Sequence, residues 1–517
     1  MAEMVTEYRE TERKYEADSP VLTLPSLDDL PGVGSVSDPE EEMLDAEYYD
    51  TGDLRLLLAG VTLRRRRGGA DEGWHLKLPA GRDTRRELRR PLEAGDDSVV
   101  PPELAGLVRG YARGRPLQPV ARITTVRHRR ILRDAAGGSL AEVVTDEVSA
   151  QSLGRPATIS GWQEAEVELT GGDLRLLEAA DRRLRSGGLR PAGHAAKLER
   201  ALADRLPPRA AGRDFPGPNR LTRRSTAAEV VLAYLREQAG ALGRLDPLVR
   251  RDEPDAVHEM RVATRRLRGT LQTFGAVLRP ADTRHLGDEL RWLGTVLGAA
   301  RDHEVLHERL AARVRQTPPE LLMGPVAARI QRHFAPLQAA AREALLQAMD
   351  SDRYVALLDE LDRLLAAPPL TAAAGRPAAA GLAEPVARAG RRVRVRMRRA
   401  RRAPAGRDRE VALHEARKAA KRARYAVEAV QPVFGPPARR LARRLACLQA
   451  VLGEHQDAVI TRGVLRDLAA GAQLAQENAF AYGVLYERED AEAARLRREA
   501  RRIWRKASRR RHRRWLD

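Results

Sequence analysis

The sequence predicts an α+β multidomain protein, a strand-built unit followed by an all-α unit that repeats itself. Three observations predict it. Up to Leu206, short segments alternate apolar and charged residues between Gly, Pro and Asp, as in Val61–Arg66, Trp74–Leu78, Ala141–Val144 and Trp162–Leu169. From Thr222 the texture changes to long Ala-, Leu- and Arg-rich runs at helical spacing, nearly to the end. Within that half, His258-Glu-Met-Arg261 returns as His414-Glu-Ala-Arg417. Leu297-Gly298 before Asp302 returns, at nearly the same spacing, as Leu452-Gly453 before Asp457.

These observations set the expected boundaries: strands over 1–206, a linker over 207–221 rich in Pro and Gly, and helices over 222–517. An Ala/Pro/Gly-rich break at 366–381 splits the helical half into repeats of about 222–365 and 382–517. A further basic break is expected near 401–409.

Charge narrows the partners. Of 517 residues, 92 are Lys or Arg and 72 Asp or Glu, a net charge of +20, so polyanions are expected. Only 4% are aromatic, a poor supply for stacking bases, and no reader motif is present, so nucleic acid is disfavoured. The single cysteine, Cys447, excludes an intrachain disulfide framework, and its apolar helical run places it in the core. No run approaches 18 uninterrupted apolar residues, so no membrane partner is expected. The N-terminus lacks a secretory pattern; the cytoplasm is the expected location.

Residues two apart on a strand share a face. Glu10, Glu12 and Lys14 therefore point together. So do Arg64 with Arg66, His75 with Lys77, Arg85 with Glu87, Glu142 with Asp146, and Glu164 with Glu166 and Glu168. Several opposite faces are apolar: Val61 and Leu63, Leu76 and Leu78, Ala165 and Val167. One such strand suits a half-solvated sheet. Six suit a closed barrel with a polar lumen and an apolar outside covered by helices. Clustered carboxylates without Cys or paired His favour a hard cation, Mg²⁺ or Mn²⁺, and clustered Arg and Lys hold phosphate oxygens. A compact, highly charged substrate is expected.

In the helical half, His258, Arg261, Arg265 and Arg268 fall within a stripe about 80° wide. His414, Arg417, Lys421 and Arg424 repeat it, with Arg266, Lys418 and Arg422 flanking. Like charges at such spacing repel, so two matched cationic stripes call for an anion. A flexible chain of phosphates suits them, bound largely through counterion release.

Glu10-Thr-Glu12-Arg-Lys14 resembles the ExExK signature of the CYTH family, the triphosphate tunnel metalloenzymes. The likeness continues through Tyr48-Tyr-Asp50-Thr51, Gly60-Val-Thr-Leu-Arg64-Arg-Arg66, Trp74-His-Leu-Lys77, Arg85-Arg-Glu87, Glu142-Val-Val-Thr-Asp146, Glu164-Ala-Glu166-Val-Glu168 and Ala196-Lys197-Leu198. It implies an antiparallel eight-stranded β tunnel with flanking helices that hydrolyses inorganic triphosphate. Thiamine triphosphatase, adenylate cyclase or a non-catalytic polyphosphate-binding scaffold are the alternatives. It implies Glu10, Glu12, Asp146, Glu166 and Glu168 as metal ligands. Lys14, Arg64, Arg66, Lys77, Arg85, Arg127 and Lys197 would hold phosphates, with Glu10, Glu12, Lys14 and Lys77 nearest the chemistry. Ala196 departs from the Ser that many members carry there.

The helical motifs resemble the CHAD family, conserved-histidine α-helical domains associated with polyphosphate. This implies two bundles around a basic groove binding inorganic polyphosphate, association with polyphosphate granules, and a structural role for Asp302 and Asp457 in ordering the cationic stripes.

Overall fold

The computed structural model describes residues 6–17, 22–81, 83–94, 99–154, 157–206 and 221–516. All but Leu221 of the expected linker lies outside them. The chain divides into two compact units, Met1–Ala211 and Gly212–Asp517.

The first unit contains β1 (Thr6–Ala17), β2 (Ser35–Val36), β3 (Glu40–Asp50), α1 (Arg55–Leu58), β4 (Thr62–Arg67), β5 (Gly73–Pro79), β6 (Thr84–Arg90) and α2 (Pro102–Ala112). It continues with β7 (Gln118–Arg133), β8 (Ser139–Ser152), β9 (Ile159–Leu169), α3 (Leu174–Ser186), β10 (Leu189–Pro191) and α4 (Lys197–Ala201). Strands pair antiparallel in the order β1-β6-β5-β4-β3-β7-β8-β9, and β9 pairs back onto β1, closing an eight-stranded barrel. Strands β10 and β2 add to β1 and β7 from outside that ring.

The period-two pattern decides which face is the lumen. On β4, Thr62, Arg64 and Arg66 face the cavity, while Val61 and Leu63 are fully buried in an outer core with Trp74, Leu76, Leu88 and α2. On β9, Glu166 and Glu168 face inward, while Ala165 and Val167 pack outward against Leu177, Ala180 and Leu184 of α3. A third core lies on the inward face at one end of the barrel, where Tyr48, Ile123 and Val148 pack with Leu198 and Ala201 of α4. Each fully buried Leu, Val or Trp contributes roughly 1.5–3 kcal/mol. Two of the three cores lie outside the barrel wall, which leaves most of the inward face free to carry charge.

Asp50, in the Tyr48-Tyr-Asp50-Thr51 motif, is structural. Its carboxylate accepts from the backbone N–H of Thr51 (2.6 Å), Leu56 and Leu57 (2.9 Å each), tying the start of α1 to β3.

The second unit is helical: α5 (Ala227–Arg250), α6 (Ala256–Thr273), α7 (Pro280–Arg315), α8 (Val326–Asp350), α9 (Asp352–Ala366), α10 (Ala378–Arg402), α11 (Arg407–Ala429), α12 (Gln431–Phe434), α13 (Pro436–Leu474) and α14 (Phe480–Ala507). Both expected breaks fall between helices. Neighbours run α5–α6–α7–α8 in one repeat and α10–α11–α13–α14 in the other, and the two motif helices, α6 and α11, touch each other. The α5 start carries a full capping box, Thr226 with Glu229.

Cys447 corrects the sequence reading. It is exposed on α13, whose buried face is Ala442, Leu445, Leu448 and Leu452. The apolar run is real, but this position lies on the far side of the helix. The Arg-rich tail is helical to Ala507 and then folds back on its own unit, with Trp515 against Phe434 at 4.8 Å between ring centres. No helix among the described residues is long and apolar enough to cross a membrane.

Candidate functional site

Register assembles the lumen. Antiparallel pairing sets Arg127 opposite Asp146, and Asp146 opposite Glu164. It also sets Lys14 opposite Glu166, Glu12 opposite Glu168, Glu168 opposite Glu142, and Lys77 opposite Glu87. Side chains directly opposite on one face touch, so charges far apart in sequence become neighbours. A cavity of ≈ 420 Å³ results. Glu10, Glu12, Lys14, Arg64, Arg66, Lys77, Arg85, Arg127, Glu166, Glu168 and Lys197 all line it. Asp146 lies behind them, 1% exposed.

The lumen has two electrostatic sides. On one, Lys197 Nζ sits 2.8 Å from Asp146, 2.7 Å from Glu164 and 2.6 Å from Glu166. Arg127 holds Asp146 in two bonds of 2.8 and 2.7 Å, and Lys14 pairs with Glu166. Burial would raise the Glu166 carboxyl, but Lys14, Lys197 and Arg127 hold it well below the usual range; against the same burial cost, Asp146, Glu166 and Glu164 hold Lys197 well above the usual lysine range. On the other side, Lys77 Nζ bonds Glu10 at 2.6 Å. Glu168 is pushed up to about 8, first by burial and then by the charges of Glu10, Glu12 and Glu166, which outweigh Lys77. The carboxylate row Glu12–Glu168–Glu142 is a hard-oxygen donor set, and like charges placed opposite one another on a sheet are destabilising. Such a row fits a divalent cation.

Two wall residues were absent from the expected site. Glu87 is fully buried, bonded by Arg89 Nε at 2.6 Å and His75 Nδ1 at 2.8 Å, with Lys77 Nζ at 3.6 Å. Burial opposes its charge, yet Lys77, His75 and Arg64 hold it ionised, so it anchors two of the expected phosphate-holding cations. Glu164 is the other. It shares the inward face of Glu166 and Glu168, so its period-two spacing was the available signal. Arg85 stands at the rim, bonded to the Ala195 carbonyl at 2.8 Å.

In the helical unit, α6 and α11 bring part of the two stripes together. Lys421 is pushed down to about 6 by burial, then by Arg417 on its own helix and by Arg265 and Arg261 on α6, with Asp457 of α13 opposing. Arg265 is lowered by burial and by Arg261, Arg417 and Arg424. The Nε atoms of Arg265, Arg268 and Arg417 are buried without a hydrogen-bond partner. Further along, burial and then Arg291 and Arg422 lower Arg268, and burial and then Arg392 and Arg396 lower Arg422, so these arginines extend the positive surface. His258 and His414 are half-buried at the near end, both lowered by burial and adjacent cations.

Three expected residues have partners of their own. Arg266 turns to Glu428 (3.2 Å) and Gln238, Arg424 also pairs with Glu428 (3.2 Å), and Lys418 pairs with Glu415. Asp302 bonds Arg261 at 2.7 Å, as expected of a residue that orders the stripe. Asp457 acts on Arg417 through charge, and burial raises its own carboxyl.

Comparison with known proteins agrees with both halves. The CYTH domain family matches residues 9–190 and the CHAD domain family residues 233–466. Uncharacterized protein MT2285 of Mycobacterium tuberculosis (strain CDC 1551 / Oshkosh) is 38% identical over 505 residues, 94% of each chain. Among solved structures, PptA from Streptomyces chartreusis is similar to 54% of this chain over 100% of its own, at 25% identity and TM-score 0.44. The CHAD domain from the plant Ricinus communis is similar to 56% of this chain over 93% of its own, at 27% identity and TM-score 0.43. The chain belongs to the family of the mycobacterial protein and carries a CYTH domain followed by a CHAD domain.

Proposed function

We propose that the barrel is a Mg²⁺- or Mn²⁺-dependent inorganic triphosphatase and that the helical unit binds inorganic polyphosphate. The observation that carries the first part is the division of one ≈ 420 Å³ lumen into a cationic wall and a carboxylate row. Arg64, Arg66, Lys77 and Arg127 hold phosphate oxygens by charge-assisted bonds, and Lys14 and Lys197 complete the cationic set. Glu87 keeps Lys77 and Arg64 in place from behind. A divalent cation on the carboxylate row supplies neutralisation of the phosphates and polarisation of the phosphoryl group. Tyr8 and Tyr48 are the aromatic side chains among the lining residues, so a nucleoside gains little.

For the helical unit, the convergence of Arg261, Arg265, Arg417 and Lys421 across the two repeats carries the reading. The positive charge gathered there exceeds that of the nearby acids Asp302 and Asp457, and suits a flexible chain of regularly spaced anions. Tethering keeps phosphate chains near the barrel by effective concentration.

Phosphate release from inorganic triphosphate, thiamine triphosphate and ATP, with and without Mg²⁺ or Mn²⁺, tests the catalytic reading. Metal-dependent release from inorganic triphosphate is expected to dominate. A cyclic nucleotide product would make it a cyclase, and no turnover of any of the three would leave a binding scaffold.

A further inference from the structure

The two repeats of the helical unit complete their packing differently. In the first, α9 packs on α5 and α7 and buries Tyr354, Leu357, Leu358, Leu361 and Leu364. In the second, the tail after Ala507 takes that place on the corresponding helices, α10 and α13. The tail forms two single turns, Arg510–His512 and Arg514–Leu516, and buries no residue fully; Trp515 and Leu516 are only partly covered. Less side chain enters the groove, and a cavity of ≈ 280 Å³ remains. Its floor is apolar, with Val393, Val427 and Leu445 buried and Trp504 beside them. Gly390 of α10 also lines it, and a Cβ there would meet nothing within 4 Å.

Charge changes with the packing. Counting back from Leu297-Gly298 and Leu452-Gly453, His285 and Glu289 of α7 correspond to Arg440 and Arg444 of α13. In the first repeat α9 meets them with polar partners of opposite kind, Glu360 to His285 at 2.8 Å and Arg353 to Glu289 at 2.6 Å. In the second the tail brings arginine to arginine: burial and then Arg444, Arg511, Arg509 and Arg440 lower His512. At the cavity itself Arg394, Arg510 and Arg513 form part of the wall. Arg394 is lowered by burial and then by Arg513, Arg391 and Arg398. Glu384 is bonded by Arg391 at 2.6 Å, while Arg394, Arg510 and Arg513 enter no ion pair among the described residues. An apolar floor beneath arginines that repel one another is complementary to a molecule with an apolar chain and an anionic head.

We propose that this cavity binds a single amphipathic anion, a medium-length acyl or alkyl chain that carries a carboxylate or a phosphate. The chain lies on Val393, Val427, Leu445 and Trp504, and the head is met by Arg394, with Arg510 and Arg513 of the tail beside it. The site is separate from the cationic stripes of α6 and α11, whose residues do not line the cavity. Its size selects a small ligand, since ≈ 280 Å³ is just under the range of about 300–1,000 Å³ usual for small-molecule sites.

The test is calorimetric titration of the full chain with decyl phosphate and with decanoate, each below its micelle concentration, against decanol and inorganic phosphate. At least one of the two amphiphiles is expected to bind at one per chain, about tenfold or more tighter than either control, and the tighter of the two identifies the head group. Gly390→Leu fills the cavity without changing charge, so it should abolish that binding and raise the unfolding temperature. Arg394→Gln should weaken the amphiphile about tenfold and leave decanol unchanged. Decanol or inorganic phosphate binding as tightly as the amphiphiles overturns the proposal, and so does full affinity in folded Gly390→Leu. If Gly390→Leu does not fold, unchanged affinity in Arg394→Gln overturns it alone. Binding to phosphatidylglycerol vesicles without binding to either monomeric amphiphile would make the partner a membrane surface and overturns it too.

Discussion

Gly298 lies directly beneath the guanidinium of Arg261: a Cβ at that position would stand 3.2 Å from Arg261 Nη2. Gly453 and Arg417 repeat the relationship in the second half at 3.5 Å. The repeated Leu-Gly pair thus has a physical reason. The missing side chain lets the arginine of the facing helix lie across the backbone of α7 or α13.

The two glycines should respond differently to alanine. Both occupy helix interiors, where Ala is worth up to about 1 kcal/mol over Gly. Gly453→Ala makes an ordinary contact and should stabilise the protein while leaving polyphosphate affinity unchanged. Gly298→Ala pushes on Arg261 and on its bond to Asp302, so affinity should fall a few-fold. Thermal unfolding and polyphosphate titration of both variants check this; equal effects on affinity would contradict it.

Lys421 makes anion binding pH-dependent. It faces Arg417 on its own helix, Arg261 and Arg265 on α6, and Asp457 on α13, and burial with the arginines sets it at about 6 against the ordinary 10.5. Between those values the unfolded chain holds a proton that the folded chain lacks, so this group makes stability rise with pH across that window. An incoming polyanion favours the charged amine. Polyphosphate binding should therefore take up close to one proton at pH 8 and weaken toward pH 9. Lys421→Arg should keep binding and lose the uptake. Calorimetry in buffers of different ionisation enthalpy measures both.

Glu10→Gln and Glu12→Gln keep shape but remove a charge from the carboxylate row. Triphosphate turnover should fall by at least about 100-fold in each, with the far-ultraviolet spectrum preserved, because neither residue belongs to an apolar core of the barrel. Normal turnover in both would remove these residues from the site.

Ala196 is the N-cap of α4 with extended backbone and no side-chain bond, and the Ala195 N–H is capped instead by Glu199 at 2.7 Å. Ala196→Ser should supply an acceptor for the first turn and stabilise the protein by about 0.5–2 kcal/mol, read by denaturant unfolding. A neutral or destabilising result would mean that Glu199 already fulfils the need.

Much of the barrel was legible because strand alternation is a local rule. Arg64 with Arg66, or Glu166 with Glu168, share a face whatever the rest of the chain does. The partners of those charges were not legible. Lys197 meets Asp146, Glu164 and Glu166 only through the placement of α4 and the register of β8 and β9, which are non-local. Alternation placed Glu87 on a charged face with Arg85 but did not name its partners His75, Lys77 and Arg89; its burial comes from closure of the barrel. In the helical half, spacing gave the stripes, but their two ends met different neighbours. Arg266 and Arg424 turn to Glu428, which belongs to the next turn of α11. Cys447 shows the same limit from the apolar side, since a helical run alone does not say which way one residue faces.

The most direct test of the central claim is the initial rate of phosphate release by the full chain from inorganic triphosphate and from ATP at matched concentration. The lumen, cationic and carboxylate-lined with little for a base to stack on, predicts faster release from inorganic triphosphate, lost when the divalent cation is chelated. Equal or faster turnover of ATP, or release that persists without metal, would contradict it.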